Sequence, residues 1–118
     1  MGHHIQLGQT GEQLAEDFLK QNGFLILHRN WRHSHYEIDI IALKKEVLHF
    51  IEVKIRSSTK FGLPEEAVNK KKFQNLLNAA DEFLYHHPQY RHVQYDIVAI
   101  NTYKNKPLEF FLIEDIYL

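Results

Sequence analysis

The sequence predicts a single α/β domain with elements in the order α-β-β-β-α-β-β, and three observations predict it. Two segments, 10–22 and the stretch that opens at Asn69, repeat their apolar residues at helical spacing. Five short runs rich in β-branched and aromatic residues lie around them, each too short for a helix and bounded by polar or glycine-containing breaks. No repeat, low-complexity tract or Pro/Gly/Ser linker interrupts the 118 residues, so one domain is expected over 1–118.

The first helix begins at Thr10-Gly11-Glu12-Gln13, a Thr-x-x-Gln capping box, carries Leu14, Ala15, Phe18 and Leu19 on one side, and stops at Asn22-Gly23. Residues 24–30 form an apolar run that suits a first strand. The stretches 37–43 and 47–56 flank the polar Lys44-Lys45-Glu46 and read as a β-hairpin. After a polar loop the second helix opens with Asn69 as N-cap and presents Phe73, Leu76, Leu77, Ala80 and Leu84 inward, ending near His87-Pro88. Residues 93–101 and 108–113 give the last two strands, with Lys104 to Lys106 as their turn.

Composition excludes several function classes. Eight Phe, six Tyr and one Trp supply one core, while the absence of cysteine removes disulfides, Cys-bound zinc, iron–sulfur clusters and a cysteine nucleophile together. No apolar run approaches the roughly 18 residues of a membrane span, and the start, Met1-Gly2-His3-His4-Ile5-Gln6, has no signal-peptide core. A cytoplasmic protein with no membrane partner is expected. A net charge of −1 argues against a uniformly basic nucleic-acid coat, yet residues 20–60 carry +4 while 1–19 and 107–118 carry −3 each.

The hairpin gives the sharpest inference. A turn centred between Lys45 and Glu46 places Ile41 opposite Phe50, Asp39 opposite Glu52 and Glu37 opposite Lys54. Strand alternation puts Glu37, Asp39, Glu52, Lys54 and Arg56 on one face and Ile38, Ile40, Ile51, Val53 and Ile55 on the other. Two facing carboxylates repel unless a positive group lies between or beside them. A divalent cation removes the conflict, because paired carboxylates, waters and phosphate oxygens form the usual Mg²⁺ shell of phosphoryl-transfer sites. Lys54 could then reach a scissile phosphate; the plain alternative is a salt-bridged, half-exposed hairpin.

Three further groups carry two readings each. Glu12 lies at the margin of its helix's apolar face, where it could enter the same pocket or simply favour the positive helix end. Lys70, Lys71 and Lys72 occupy the first turn of the second helix, where the dipole disfavours cations and phosphate binding would explain them; Lys72 borders the buried face. Arg29, Asn30, Trp31 and Arg32 suit a phosphate-contacting rim or a surface loop anchored by the Trp. His33-x-His35, His86-His87 and His3-His4 lack local carboxylate partners and read as surface residues, and Asp96 is either a fold-internal hydrogen-bonding group or a support for the site.

The blocks Leu7-Gly8-Gln9-Thr10-Gly11-Glu12-Gln13-Leu14-Ala15, Ile26 to Arg32, Glu37-Ile38-Asp39-Ile40-Ile41-Ala42, Phe50-Ile51-Glu52-Val53-Lys54-Ile55-Arg56, Pro64-Glu65-Glu66-Ala67-Val68 with Lys72, and Tyr95-Asp96-Ile97-Val98 together resemble the bacterial YraN family. That family is similar in turn to the Holliday-junction-resolvase branch of the restriction-endonuclease-like PD-(D/E)xK nucleases. The resemblance implies a restriction-endonuclease-like α/β/α core with a mixed five-stranded sheet. It also implies a Mg²⁺ or Mn²⁺ site made by Asp39, Glu52 and the Val53 carbonyl, with Lys54 as the motif lysine, Glu12 as an extra helix-borne acid and Lys72 flanking the cleft. Ile38 stands where many superfamily members have proline, which leaves the metal ligand in place.

The expected activity is therefore hydrolysis of DNA phosphodiesters, in branched or structured DNA, with Arg29, Asn30, Arg32, Arg56 and Lys72 as nucleic-acid contacts and RNA open as a substrate of the same chemistry. Cutting both strands of a junction would suit a homodimer. Two rivals remain: a nucleic-acid-binding module that keeps the fold without chemistry, and an interaction domain docking through the apolar, acidic stretch 108–118, which reads more simply as a buried final strand.

Overall fold

The computed structural model describes residues 11–57, 70–103 and 105–116. They form α1 (Gly11–Gln21), β1 (Leu25–His33), β2 (Tyr36–Lys44), β3 (Val47–Ser57), α2 (Lys70–His86), β4 (Val93–Thr102) and β5 (Glu109–Ile113). The expected order α-β-β-β-α-β-β holds, and the five strands make one mixed sheet in the order β1-β2-β3-β4-β5. Only β3 and β4 run parallel; the other neighbours are antiparallel. The capping residue Thr10, the N-cap Asn69, the 61–68 block and the turn residue Lys104 lie outside the described residues.

Each face of the sheet carries one helix, because each helix has one apolar stripe and the central strands have two apolar faces. On one face Ala15 and Leu19 of α1 pack with Phe24, Ile40, Ala42, Ile51, Val98 and Ile100. On the other, Leu76, Ala79, Ala80 and Phe83 of α2 pack with Ile38, Ile41, Leu48, Phe50 and Tyr95. This α/β/α sandwich matches the fold class expected. The stripe of α2 differs from the one read in sequence: Ala79 and Phe83 are central, while Phe73, Leu77 and Leu84 are only partly buried. At about 100° per residue the buried row 76-79-80-83 lies to one side of 73, 77 and 84, so the helix meets the sheet along the flank of the stripe read in sequence.

Helix α1 ends as its sequence requires. Gly23 takes the left-handed conformation (φ 91°), the Gly23 N–H donates to the Lys20 carbonyl at 3.1 Å and the Phe24 N–H to the Leu19 carbonyl at 3.0 Å, the paired bonds of a Schellman motif. The β2–β3 turn is the tight one anticipated: Lys44 pairs with Val47, and Lys45 (φ 51°) and Glu46 (φ 68°) both sit in the left-handed region that a type I′ turn demands. Neither residue suits that backbone. Replacing the pair by Asn-Gly is expected to stabilise the protein by about 0.5–1 kcal/mol, the relieved strain exceeding the entropy cost of glycine; urea unfolding of K45N/E46G against the parent checks it.

Strand β1 differs from expectation in a way that shapes the cleft. β1 continues through His33, so Arg29 to Arg32 are strand rather than loop, and it returns to β2 through a two-residue turn at Ser34-His35. Asn30 has φ 57°, and the register passes from Arg29↔Ile40 to Trp31↔Ile38 with no pairing recorded between Asn30 and Asp39. The expectation that Ile38 and Ile40 share a face is corrected here. Ile38 packs on the α2 side and Ile40 on the α1 side, because the left-handed residue interrupts the alternation of both strands.

Candidate metal-binding cleft

The β2–β3 ladder follows the anticipated register from Lys44↔Val47 to Ile40↔Ile51 and records no pair beyond it. Past Ile40, β2 pairs with β1 alone, including Arg32↔Glu37, so neither the expected Asp39–Glu52 strand pair nor the expected Glu37–Lys54 pair forms in the ladder. Where the ladder stops, the Val53 N–H donates to Asp39 Oδ2 at 2.8 Å. The aspartate thus takes the place of a strand partner, and its Oδ1 faces no recorded hydrogen-bond donor among the described residues.

A cleft of about 600 Å³ opens at this point, lined by Glu12 of α1, by Glu37, Asp39, Glu52 and Val53 of the sheet, and by Lys72, Asn75 and Asn78 of α2. β3 keeps strict alternation: Ile51 and Val53 pack on the α1 side, while Phe50 and then Glu52 turn toward α2. Glu52 Oε2 lies 3.9 Å from Lys54 Nζ and 4.0 Å from Lys72 Nζ. Two helices on opposite faces thereby reach one point, because the sheet has parted there.

Burial raises the Asp39 carboxyl above its usual range, and the charges of Glu12 and Glu37 add to it against the Val53 N–H and Lys72. Burial likewise raises Glu52, with Asp39 adding to it and Lys54 and Lys72 opposing. The Lys72 amine beside Lys54, together with burial, holds the Lys54 ammonium below its ordinary range although Glu52 and Asp39 pull it back. The cleft gathers Glu12, Glu37, Asp39 and Glu52 against Lys72 and the adjoining Lys54, an excess of negative charge in a half-buried space. Carboxylates in that condition are a hard-oxygen donor set of the kind that suits a divalent cation.

Of the residues singled out in sequence, Glu12, Asp39, Glu52, Val53, Lys54 and Lys72 come together at the cleft. The expected nucleic-acid contacts divide, with Lys72 and Arg32 staying beside the cleft and the others turning elsewhere. Arg29 turns to α1, where its Nη1 lies 3.3 Å from Glu16 Oε1 and also bonds Gln13; Arg32 pairs with Glu37 at 3.8 Å; Asn30 makes the strand kink; and Arg56 sits toward Tyr103. Asp96 is a fold-internal group: fully buried, it lies 2.6 Å from His49 Nδ1 and accepts from Gln94 and from the Asp115 N–H. Asn75 and Asn78 were not anticipated, although their spacing of three and six from Lys72 marks the same side of α2.

Among the described residues no helix is long and apolar enough to cross a membrane. The final strand β5 pairs with β4 at one sheet edge, with Phe110 to Ile113 partly buried. Comparison with known proteins places the chain. The uncharacterised protein family UPF0102 matches residues 11–100, a span that holds every cleft residue. A UPF0102 protein of Bacteroides thetaiotaomicron is 42% identical over 100 residues, covering 85% of this chain and 83% of that protein. One from Clostridium perfringens is 42% identical over 84% of this chain and 82% of its own length, and one from Chloroherpeton thalassium is 36% identical over 99% and 97%. With a family match across most of its length and relatives that align nearly end to end, the chain belongs to the UPF0102 family.

Proposed function

We propose that the protein is a Mg²⁺- or Mn²⁺-dependent endonuclease that hydrolyses phosphodiesters of branched or structured DNA. One observation carries the reading: two buried-side carboxylates, Asp39 and Glu52, meet where β2 leaves β3, with Lys54 and Lys72 both within about one ion-pair distance of Glu52. Their excess negative charge would repel a polyanion, so a nucleic acid can enter only with a cation in place.

Asp39, Glu52 and the Val53 carbonyl are the groups that would hold the ion, and Asp39 Oδ1, which meets no hydrogen-bond donor among the described residues, fits that role. A bound divalent cation supplies Lewis acidity toward phosphoryl oxygen and water. The chain supplies the rest. The Val53 N–H fixes the Asp39 carboxylate in one orientation, Lys54 and Lys72 place positive charge where the pentacovalent phosphorus gathers negative charge, and Asn75 and Asn78 offer amide donors along the groove. Glu12 lines the cleft from α1 and would serve there as an additional acid–base group.

The test is cleavage of labelled four-way junction, flap, duplex and single-stranded DNA, and of matching RNA, with Mg²⁺, Mn²⁺ or EDTA. Metal-dependent cleavage that falls at least about 100-fold in Asp39→Ala and Lys54→Ala is expected. Metal-indifferent, salt-dependent binding without cleavage, unchanged in Asp39→Ala, would replace the nuclease by a binding module.

A further inference from the structure

Toward the C-terminal end of α2, one turn past the cleft-lining Asn78, His33, Glu82 and His86 bring three ligand atoms within 4.8 Å of one another. His33 closes β1, whereas Glu82 and His86 stand one turn apart on α2, so two elements from opposite halves of the chain supply the group. His33 Nε2 lies 3.2 Å and His86 Nε2 2.9 Å from the same Glu82 oxygen. Sequence reading set both histidines aside for want of a carboxylate; the fold provides one.

We propose that this triad is a second metal site, selective for a Zn²⁺-class transition ion, that staples the end of β1 to the last turns of α2. Two imidazoles and one carboxylate form a borderline-soft set that favours zinc and its neighbours over Mg²⁺. Bonds of about 2.0–2.1 Å at tetrahedral angles separate ligand atoms by roughly 3.3 Å, close to the spacing of Glu82 from both rings, so the ion enters with small side-chain shifts. Three protein ligands leave one position for water or another small donor.

The surroundings favour a cation and hold the rings. The triad lies in the last turns of α2, where the helix dipole is negative. Trp31 stacks on His33 with 11° between the planes, and Tyr85 meets His86 edge-on at 5.2 Å. The plain alternative, an i,i+4 Glu–His pair on a solvated helix face, accounts for Glu82 and His86 but not for the arrival of His33 on the same oxygen. Lys72 lies fourteen residues up the same helix from His86, about 20 Å away at 1.5 Å per residue, so the triad is a donor set of its own, distinct from the Asp39–Glu52 pair, although Asn78 at the near end of the cleft stands one turn before Glu82.

The experiment is Zn²⁺ titration of the untagged protein by calorimetry, with Co²⁺ absorption reporting coordination, on the parent and on His33→Gln, His86→Gln, H3Q/H4Q and Asp39→Asn. Expected are one Zn²⁺ bound at micromolar affinity or tighter in the presence of millimolar Mg²⁺, weakening of at least about tenfold in His33→Gln and in His86→Gln, no change in H3Q/H4Q or Asp39→Asn, and a higher melting temperature of the parent with Zn²⁺. The side chains of His33 and His86 are 48% and 42% exposed, so neither substitution threatens folding. No binding in the micromolar range, or binding that survives both substitutions or is lost in H3Q/H4Q or Asp39→Asn, would overturn the proposal.

Discussion

Asp39→Asn is expected to make the metal-free protein more stable while abolishing its response to Mg²⁺ or Mn²⁺. Asparagine keeps an oxygen that can accept from Val53 and removes a charge that burial, Glu12 and Glu37 all disfavour. Relief of this kind is worth about 1 kcal/mol, or a few degrees in Tm for a domain of this size. The sign in pH follows. Asp39 and Glu52 have folded-state affinities for protons above those of the unfolded chain, so the folded state binds more protons between the two values. The penalty is absent at low pH where both states are protonated. It grows as pH rises from the ordinary carboxylate range through the raised folded values and stays constant above them. Thermal melts from pH 4 to 8 with and without metal would show the parent losing this component of stability as pH rises and regaining it with the divalent ion, with Asp39→Asn showing a smaller loss and little metal response. A variant that melts lower than the parent at pH 7, or that keeps the full metal shift, would mean that Asp39 is a structural acceptor rather than a ligand.

Much of this cleft was legible in sequence because a hairpin centred on Lys45-Glu46 fixes every facing pair, and the observed ladder obeys that register to Ile40↔Ile51. The departure beyond it was not legible. Asn30 in a left-handed conformation and the end of the β2–β3 ladder arise where the β1–β2 hairpin, closed by its two-residue Ser34-His35 turn, draws β2 away from β3, a competition between neighbouring strands that no single local pattern encodes. Arg29 illustrates the same limit: its sequence neighbours suggested a rim, but strand pairing turns it toward Glu16 on α1. The His33–Glu82–His86 group lay hidden for the same reason, since only the packing of α2 on β1 brings its parts together. Lys72 could be placed beforehand because helical periodicity alone puts it at the border of the apolar stripe.

Phe83→Ala is expected to cost about 3–5 kcal/mol, the range for removing a fully buried phenyl ring from a core that cannot collapse around the gap, and a large share of the total stability of a small domain. The ring is 1% exposed and meets aromatic neighbours from several elements: His28 at 5.6 Å and Trp31 at 5.4 Å on β1, Phe50 at 5.8 Å on β3, and His87 at 4.0 Å and Tyr90 at 6.3 Å just past the helix. Neighbours fixed on separate strands cannot all move into one cavity, so both the transfer and the cavity contributions are lost. Urea unfolding measures the effect, with Tyr85→Ala as a control on the same helix; Tyr85 is 80% exposed, and its loss should stay within about 0.5 kcal/mol. The consequence reaches the cleft through the helix. α2 carries Phe83 near one end and Lys72 at the other, so an anchor weakened at Phe83 lets the helix ride less firmly on the sheet and uncouples Lys72 from Glu52. The milder Phe83→Leu, which keeps the fold, should therefore speed amide exchange along α2 and lower cleavage more than Tyr85→Ala does. Equal cleavage in the two variants would show that Lys72 is held by its own end of the helix, through Leu76 and Phe73, rather than by the aromatic cluster.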